Sequence, residues 1–225
     1  KAVLAKFPLN GPTGPDVGGA LWVTKPNFFT YRGIEGFYAV TAAEEGGSTF
    51  LYAGGHAQAN GVNNTAILAK YDTNGTLIWG KLLGNTGWFM NSYAWAVTEL
   101  NGHIYVAGET NYPYTLNNPV ATLWKYDAAG HQIWMKKYWQ LATTVYRAVD
   151  MVALNGYLYL ATARRNVPSW GADAFVFQCD EAGNLGRSWA WGREKDDAAL
   201  GIAADAERNR LYVVGETSGS RSAGG

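Results

Sequence analysis

One phrase of this chain occurs twice with small changes, and it constrains the fold more than any other feature of the sequence. It reads "AILAKYDTNGTLIW" at residues 66–79 and "ATLWKYDAAGHQIW" at residues 121–134. A second phrase, a tyrosine within a short apolar run, is found four times, at Tyr52, Tyr105, Tyr159 and Tyr212. The tyrosines are separated by 53, 54 and 53 residues. This spacing predicts a structural unit of about 53 residues that is present four times.

Each unit reads as four short β-strands. The first unit contains "YAVTAAE", "TFLYAGG", "TAILAKYD" and "TLIWGKLL", which are rich in apolar, aromatic and β-branched residues. Turn signals separate these runs, because the Asp of "DTNG", "DAAG" and "DEAG" can bond the backbone ahead and the Gly takes a positive φ. We interpret Asp72, Asp127 and Asp180 as turn-forming residues and not as calcium ligands. No segment has a sustained 3.6-residue apolar period, so almost no helix is expected.

Repeated groups of four strands are typical of an all-β fold of the β-propeller type, and we predict a single domain over residues 1–225. The N-terminal strands match the third and fourth strands of a unit, and the C-terminal strands match the first and second. Pairing of the two ends would complete a last blade and remove exposed strand edges, which predicts a closed four-bladed ring. The rival is an open half that pairs with another chain. The predicted blades span about residues 36–84, 92–138, 145–191, and 198–217 together with 2–25.

A small residue in each innermost strand favours four blades over a fragment of a larger ring. Alignment of "YAVT", "WAVT", "RAVD" and "LGIA" places Ala39, Ala96, Ala148 and Gly201 at one equivalent position. Four sheets that crowd around one axis need small side chains at such a position. The alignment therefore predicts that these four residues lie at the same level of the ring.

The composition argues against several classes of protein. Lys plus Arg and Asp plus Glu are 18 each, so the formal net charge is zero and no basic surface for nucleic acid is expected. No apolar run approaches the roughly 18 residues of a membrane span. The single cysteine, Cys179, cannot form an intramolecular disulfide and is interpreted as a core residue.

The fourth unit carries a more specific pattern. It contains "DAFV" at 173–176, "GN" at 183–184, "DD" at 196–197, "GIA" at 201–203 and "YVVGET" at 212–217. This pattern resembles the SBBP repeat, a β-propeller repeat of many bacterial surface and secreted proteins, and the other units keep its skeleton. The resemblance implies a propeller architecture and a secreted or cell-surface location. It implies no particular activity, because the repeat is known mainly as a structural module.

The connections of the predicted blades are tight on one face and long on the other, called here the long-loop face. Long connections such as "NYPYTLNNP" and "NTGWFMNS" all leave from this face. Loops often carry function, and aromatic rings beside amide and Arg groups can hold a sugar, a peptide or another flat ligand. The alternative is that several of these rings only cap the blades. The predicted ligand-binding residues are Phe28, Phe29, Tyr31, Trp88, Phe89, Tyr112, Tyr114, Trp139 and Trp170.

A second set of residues ends the second strands at the long-loop face. His56, Glu109 and Glu216 each follow a marker tyrosine by four residues. Together with Arg147 or Tyr38 they are candidate catalytic residues, because His and Glu around one rim can bind a metal or transfer protons. The alternative is that the Glu of "GET" bonds loop backbone. No nucleophile, phosphate-binding or zinc-protease motif is present, so neither a metal nor a cofactor is expected.

Taken together, these features predict a non-catalytic binding or interaction module. Its long-loop face would engage a glycan, a peptide or a protein partner, and neither a nucleic-acid partner nor a membrane span is expected. Two other functions stay open at this point. One is an enzyme, a lyase or hydrolase acting on a sugar-like substrate, and the other is a structural subunit of a larger assembly.

Overall fold

The structure, a computed structural model, describes residues 3–6, 22–24, 35–58, 63–83, 91–112, 115–138, 146–164, 174–191 and 197–217. These residues form β-strands and no helix, so the all-β prediction is confirmed. The strands are β1 Leu4–Lys6, β2 Trp22–Thr24, β3 Glu35–Glu45, β4 Ser48–Gln58, β5 Asn64–Asp72, β6 Leu77–Leu83, β7 Ser92–Leu100, β8 His103–Tyr112, β9 Thr115–Tyr126, β10 Gln132–Lys137, β11 Tyr146–Leu154, β12 Tyr157–Arg164, β13 Ala174–Cys179, β14 Leu185–Trp191, β15 Asp197–Asp205 and β16 Arg210–Thr217.

Most of the strands form three antiparallel groups of four, in which strands that are neighbours in the chain lie side by side. We call β3–β6 unit one, β7–β10 unit two and β11–β14 unit three. β15 and β16 pair with each other, and a single residue pair, Ala163 with Ala198, joins β15 to β12. β1 and β2 form a separate two-stranded sheet. This succession of small antiparallel sheets is propeller-like.

The hairpin turns form as their residues predict. In unit one, Asp72 Oδ1 accepts the N–H of Thr76 at 2.8 Å, and Gly75 closes the turn with a φ of 84°. Backbone hydrogen bonds, first that of Thr76, lower the pKa of the Asp72 carboxyl. Asn101 and Gly102 both have positive φ, 50° and 75°, which is the geometry of a two-residue hairpin turn. The equivalent aspartate bonds in the other units are made by Asp127 and Asp180.

The core lies between consecutive units, which pack face to face. The face of unit one that carries Tyr52 packs on the face of unit two that carries Val106 and Trp124. The opposite face of unit two, with Tyr105, packs on unit three through Leu160. None of these five side chains is more than 3% exposed. Burial of apolar surface between the sheets is therefore what holds the units in sequence.

A lysine of the third strand links each sheet to the next. Its Nζ donates to the backbone carbonyl of the second residue in the Asp turn of the following unit. The three pairs are Lys6 with Thr73 at 3.2 Å, Lys70 with Ala128 at 3.1 Å and Lys125 with Glu181 at 3.4 Å. Because Lys6 belongs to β1, this strand lies where the third strand of a unit before unit one would lie. We call each such unit-to-unit contact a junction.

The predicted pairing of the two chain ends is not present in this structure. Among the described strands, β1 pairs only with β2, and β16 pairs only with β15. β3 packs against β7, β7 against β11 and β11 against β15, but β15 makes no comparable contact with β3. A ring of four brings the first and last innermost strands together. The count of four blades and their closure are therefore not confirmed.

The alignment predicted for unit three is wrong by two residues. Cross-strand pairing places Asp150, and not Ala148, level with the small residues Ala39, Ala96 and Gly201. A strand has a side-chain period of two, so a shift of two residues keeps the apolar pattern and cannot be detected from it. The Asp150 carboxylate links β11 to β15 at this level, because its Oδ2 accepts the N–H of Ile202 at 2.9 Å.

Cys179 is a buried free cysteine, as predicted. Burial raises the pKa of its thiol to about 11, so the thiol stays protonated at neutral pH. Its Sγ lies 3.6 Å from the hydroxyl of Tyr138 in the core between units two and three. Cys179 is thus a packing residue.

Candidate functional site

Of the predicted ligand-binding residues, only Tyr112 belongs to the part of the chain that the structure describes. It is the last residue of β8, where the backbone is described and the side chain is not. The role of these residues therefore stays a prediction. The eight that lie outside the described residues are Phe28, Phe29, Tyr31, Trp88, Phe89, Tyr114, Trp139 and Trp170.

Four rings meet at the long-loop end of units one and two, and we call Tyr38, His56, Tyr93 and Trp95 the aromatic cluster. Tyr38 stacks on Trp95 with ring centroids 4.5 Å apart, and Tyr93 stacks on Trp95 at 5.2 Å. The His56 ring lies 5.3 Å from Tyr38 and 5.4 Å from Tyr93. Each ring contacts two others at the separations that aromatic pairs prefer, so the rings hold one another in place.

The strands position this cluster through two β-bulges and a glycine. Tyr38 and Trp95 are the extra residues at irregularities in the pairing of β3 and β7. A bulge re-aims a side chain relative to the regular alternation. Gly36 pairs with His56, and a Cβ on Gly36 would come within 3.3 Å of the imidazole. The glycine therefore leaves the space that the His56 ring occupies.

The cluster has one exposed edge and a cation beside it. Tyr38 is 44% exposed, whereas His56 is 7% exposed. The Arg147 guanidinium lies over Trp95, 5.7 Å from the ring centroid, as a cation–π contact. Among the described residues, Arg147 forms no ion pair with an acidic side chain. Its donors can therefore serve a ligand that rests on the exposed ring.

A hydrogen bond joins Tyr38 and His56 within the cluster. Burial lowers the pKa of His56, so we assign a neutral imidazole at neutral pH. Burial, followed by the nearby Tyr93, raises the pKa of Tyr38, so its phenol keeps its proton. The Tyr38 hydroxyl and His56 Nδ1 are 2.7 Å apart and share a hydrogen bond, whose donor depends on the imidazole tautomer. The pair can pass a proton to or from a bound molecule.

The candidate catalytic residues are only partly brought together. His56 belongs to the aromatic cluster, and Arg147 contacts the cluster through Trp95. Glu109 lies at the level of His56 in the neighbouring β8 and is 5% exposed. Glu216 has the equivalent position on β16, where it is exposed on the last described strand. The four residues therefore do not form one compact constellation in this structure.

Tyr93 and Trp95 are site residues that the sequence did not reveal. Both stand in "SYAW" at the start of β7, directly after a long connection. The available signal in the sequence was a pair of aromatic residues, separated by one residue, at the start of a strand that follows a long connection. Their contact with Tyr38 and His56 joins two different units, and no local pattern predicts such a contact.

The described residues show neither a metal cluster nor a membrane helix. No three His, Cys, Asp or Glu side chains within the described ranges come together as possible ligands of one ion. The same ranges contain no helix with the length and apolar character needed to cross a membrane.

Comparison with known proteins adds no assignment. No protein-family model matches the chain, and no curated protein matches it significantly. The resemblance of the fourth unit to the SBBP repeat therefore stays a prediction, which rests on the residues of that unit.

Proposed function

We propose that this protein is a non-catalytic binding module whose long-loop face engages a glycan. The observation that carries the proposal is the exposed Tyr38 ring, which is held in a stack with Trp95 at 4.5 Å. A fixed aromatic face with a few polar groups around it is typical of small-molecule sites. A ring that is already fixed by its neighbours loses little freedom when a ligand binds.

The polar groups around the cluster fit a sugar. Arg147 offers guanidinium donors beside the stack, and the Tyr38–His56 pair offers a hydroxyl and an imidazole. Asn64 Nδ2 donates to the Tyr93 hydroxyl at 2.6 Å and fixes the orientation of that group. A sugar ring presents an apolar face and several hydroxyls, so it can use the aromatic surface and these donors together. A peptide or a protein partner is the alternative ligand for the same face.

A glycan panel with two matched variants tests the proposal. We expect Tyr38→Ala to weaken binding of a glycan ligand by at least about tenfold, because it removes the exposed ring. Tyr157→Ala is the matched control, since Tyr157 is 43% exposed but follows a tight turn at the opposite end of the sheets. Equal loss in the two variants, or no loss in Tyr38→Ala, would contradict the proposal. Binding of peptides alone would favour the alternative ligand.

An enzyme is the second candidate, and the Tyr38–His56 hydrogen bond favours it. A buried neutral imidazole bonded to a phenol can serve as a proton-transfer pair for a lyase or hydrolase on a sugar-like substrate. Release of shortened or unsaturated products from polysaccharides would reveal such an activity. His56→Gln should abolish turnover while binding persists. If polysaccharides bind to the protein but none is cleaved under the same conditions, the enzyme proposal is wrong.

We also propose that β15 and β16 are the first and second strands of a further blade. Strands with the sequence of β1 and β2 would supply the third and fourth strands of that blade. The position of β1 supports this, because Lys6 makes the contact with the next turn that Lys70 and Lys125 make. A ring of four blades closed within one chain is the simplest form of this completion. A secreted or cell-surface location stays a proposal too, and it rests on the SBBP resemblance alone.

A further inference from the structure

Arg147 stands on the innermost strand of unit three, at the level of the aromatic cluster. Cross-strand pairing places it opposite Ala163, and the β-bulge that follows aligns it with Tyr93 of unit two. Its guanidinium lies over the Trp95 ring, 5.7 Å from the centroid, so this side chain of unit three extends across to unit two. The exposed Tyr38 ring of unit one stacks on the same indole. An aromatic face and a cation therefore meet at one tryptophan.

Within the described part of the chain, no acidic side chain forms an ion pair with this guanidinium. Asp150 lies on the same strand, but both oxygens of its carboxylate accept backbone N–H groups, those of Met151 at 2.8 Å and of Ile202 at 2.9 Å. Glu109 stands at the same strand level in unit two, where it is only 5% exposed. Arg147 is half-buried. A ligand on this surface therefore meets the guanidinium before it meets the Glu109 carboxylate.

The aromatic cluster itself adds no charge to the site. Burial lowers the pKa of the His56 imidazole below its ordinary value, so the ring is neutral at neutral pH. Burial also raises the pKa of the Tyr38 phenol, which therefore stays protonated. The fixed charge beside the stack is thus the positive charge of Arg147. A ligand cation, which an aromatic face would otherwise attract, meets a like charge over Trp95.

A guanidinium held in this way is suited to a carboxylate. Its N–H donors form a planar fork that can make two parallel hydrogen bonds to the two carboxylate oxygens. Such charge-assisted bonds are roughly twice as strong as hydrogen bonds between neutral groups. The contact with Trp95 restrains the side chain before a ligand arrives, so less freedom is lost on binding. A ligand that has both an apolar ring face and a carboxylate can therefore use Tyr38 and Arg147 together.

We propose that the ligand of this site is an acidic glycan, in which the carboxylate of a uronate residue binds Arg147 while a sugar ring rests on Tyr38. This inference rests on the glycan binding proposed above and narrows it to one class of sugar. A sulfate ester is another anionic group that glycans carry. The uronate carboxylate is bonded directly to a carbon of the sugar ring, whereas a sulfate is linked through an ester oxygen and moves more freely. The carboxylate therefore suits a ring and a cation that are both held in place.

Pairs of oligosaccharides that differ only in the carboxyl group test this inference. The probes are oligogalacturonate, oligomannuronate and oligoglucuronate, each beside its carboxyl-reduced neutral form, with binding to the full chain measured by isothermal titration calorimetry. We expect at least one uronate to bind at least about tenfold more tightly than its reduced form. Added salt should weaken binding of the uronate more than binding of the reduced form. This comparison changes the ligand and not the protein, so it does not depend on the folding of any variant.

Substitutions of Arg147 connect the preference to its guanidinium. Arg147→Gln should bring the affinities for the uronate and its reduced form to within about twofold of each other, because the charge and the fork are both lost. Arg147→Lys keeps the charge but not the fork, and it should retain only part of the preference. Arg187→Gln is the matched control, since it removes an exposed charge from β14, the outermost strand of unit three. The control should keep the full preference, and circular dichroism verifies the fold of each variant.

The outcomes separate this inference from the proposed function. Equal binding of a uronate and its reduced form, lost in Tyr38→Ala, would overturn the acidic class and leave glycan binding standing. Binding of a sulfated neutral oligosaccharide without binding of any uronate would overturn the carboxylate as the anionic group. A preference for the uronate that persists in Arg147→Gln would overturn the role of Arg147. Absence of binding to every glycan would contradict the proposed function and this inference with it.

Discussion

His56 is the residue whose chemistry depends most on its surroundings. It lies between two aromatic rings and shares a hydrogen bond with Tyr38, and burial holds its pKa below the ordinary value of 6.5. An imidazole with a lowered pKa in the folded protein is protonated first in the unfolded chain. Acidification therefore favours unfolding through this residue. The free energy of unfolding begins to decrease as the pH drops through about 6.5, and the decrease is complete once the pH is below the pKa of His56 in the folded state.

Thermal unfolding at a series of pH values measures this effect. We expect the melting temperature of the wild type to fall as the pH drops below about 6.5, and His56→Gln to flatten that part of the curve. His103→Gln is the control, because His103 is the first residue of β8 and lies beside a tight turn, whereas His56 lies near the end of β4. Parallel curves for the wild type and His56→Gln would show that another group is responsible.

Gly108 is fixed by a close approach of two backbones. A Cβ at this position would lie 1.9 Å from the carbonyl oxygen of Tyr93, in β7, which carries two members of the aromatic cluster. A backbone oxygen cannot rotate away as a side chain can. We expect Gly108→Ala to lower the free energy of unfolding by about 3 kcal/mol or more, measured by urea denaturation. Gly186→Ala, whose Cβ would lie 3.3 Å from the Gln178 side chain and at an ordinary contact distance of 3.8 Å from the Gln178 carbonyl oxygen, should cost less than about 1 kcal/mol.

At the residue scale the sequence predicted the turns well and the site only in part. Asp72 and Gly75 form contacts only within their own turn, so their roles can be predicted from a few neighbouring residues. Asp150 could not be placed, because a shift of two residues leaves the inward face of a strand unchanged. Trp95 gains its importance from rings of another unit, and only packing brings those rings together.

At the scale of elements, the third strand carries the polar link between sheets. Lys70 Nζ bonds Glu45 Oε2 at 2.6 Å and the Ala128 carbonyl at 3.1 Å, and it lies over the Phe50 ring at 4.1 Å. Its side chain is only 8% exposed. Removal of the charge would leave the Glu45 carboxylate without its cation in a half-buried place, which is costlier than the loss of a surface pair.

We expect Lys70→Met to lower the free energy of unfolding by about 2 kcal/mol, as measured by chemical denaturation. Lys81→Met is the matched control, since Lys81 is exposed on the neighbouring β6 and forms no ion pair with a described residue. The control should change stability by less than about 0.5 kcal/mol. Equal effects of the two substitutions would contradict the role assigned to the junction lysine.

The strands themselves were the most predictable elements. Alternating apolar runs between Asp and Gly turns define them locally, and the structure has antiparallel strands in the predicted order. Closure was not predictable in the same way. It depends on the angle between successive sheets, which adds up over the whole array, and no single residue determines that angle.

At the scale of the whole molecule, protection should be uneven along the chain. The middle sheets are covered on both faces, whereas β16 is covered on one. Amide hydrogen exchange in β16 should therefore be at least about tenfold faster than in β9, whose sheet is covered on both faces. Exchange that is equally slow in the two strands would show that the second face of β16 is covered as well.

The junction lysines have a consequence for how such a chain can change over generations. Each lysine is met by a backbone carbonyl, which every amino acid possesses, at the same place of the next turn. Duplication or loss of one whole segment of the gene would then join new neighbours through the contact already in use. Variation in the number of segments would leave each surviving interface intact.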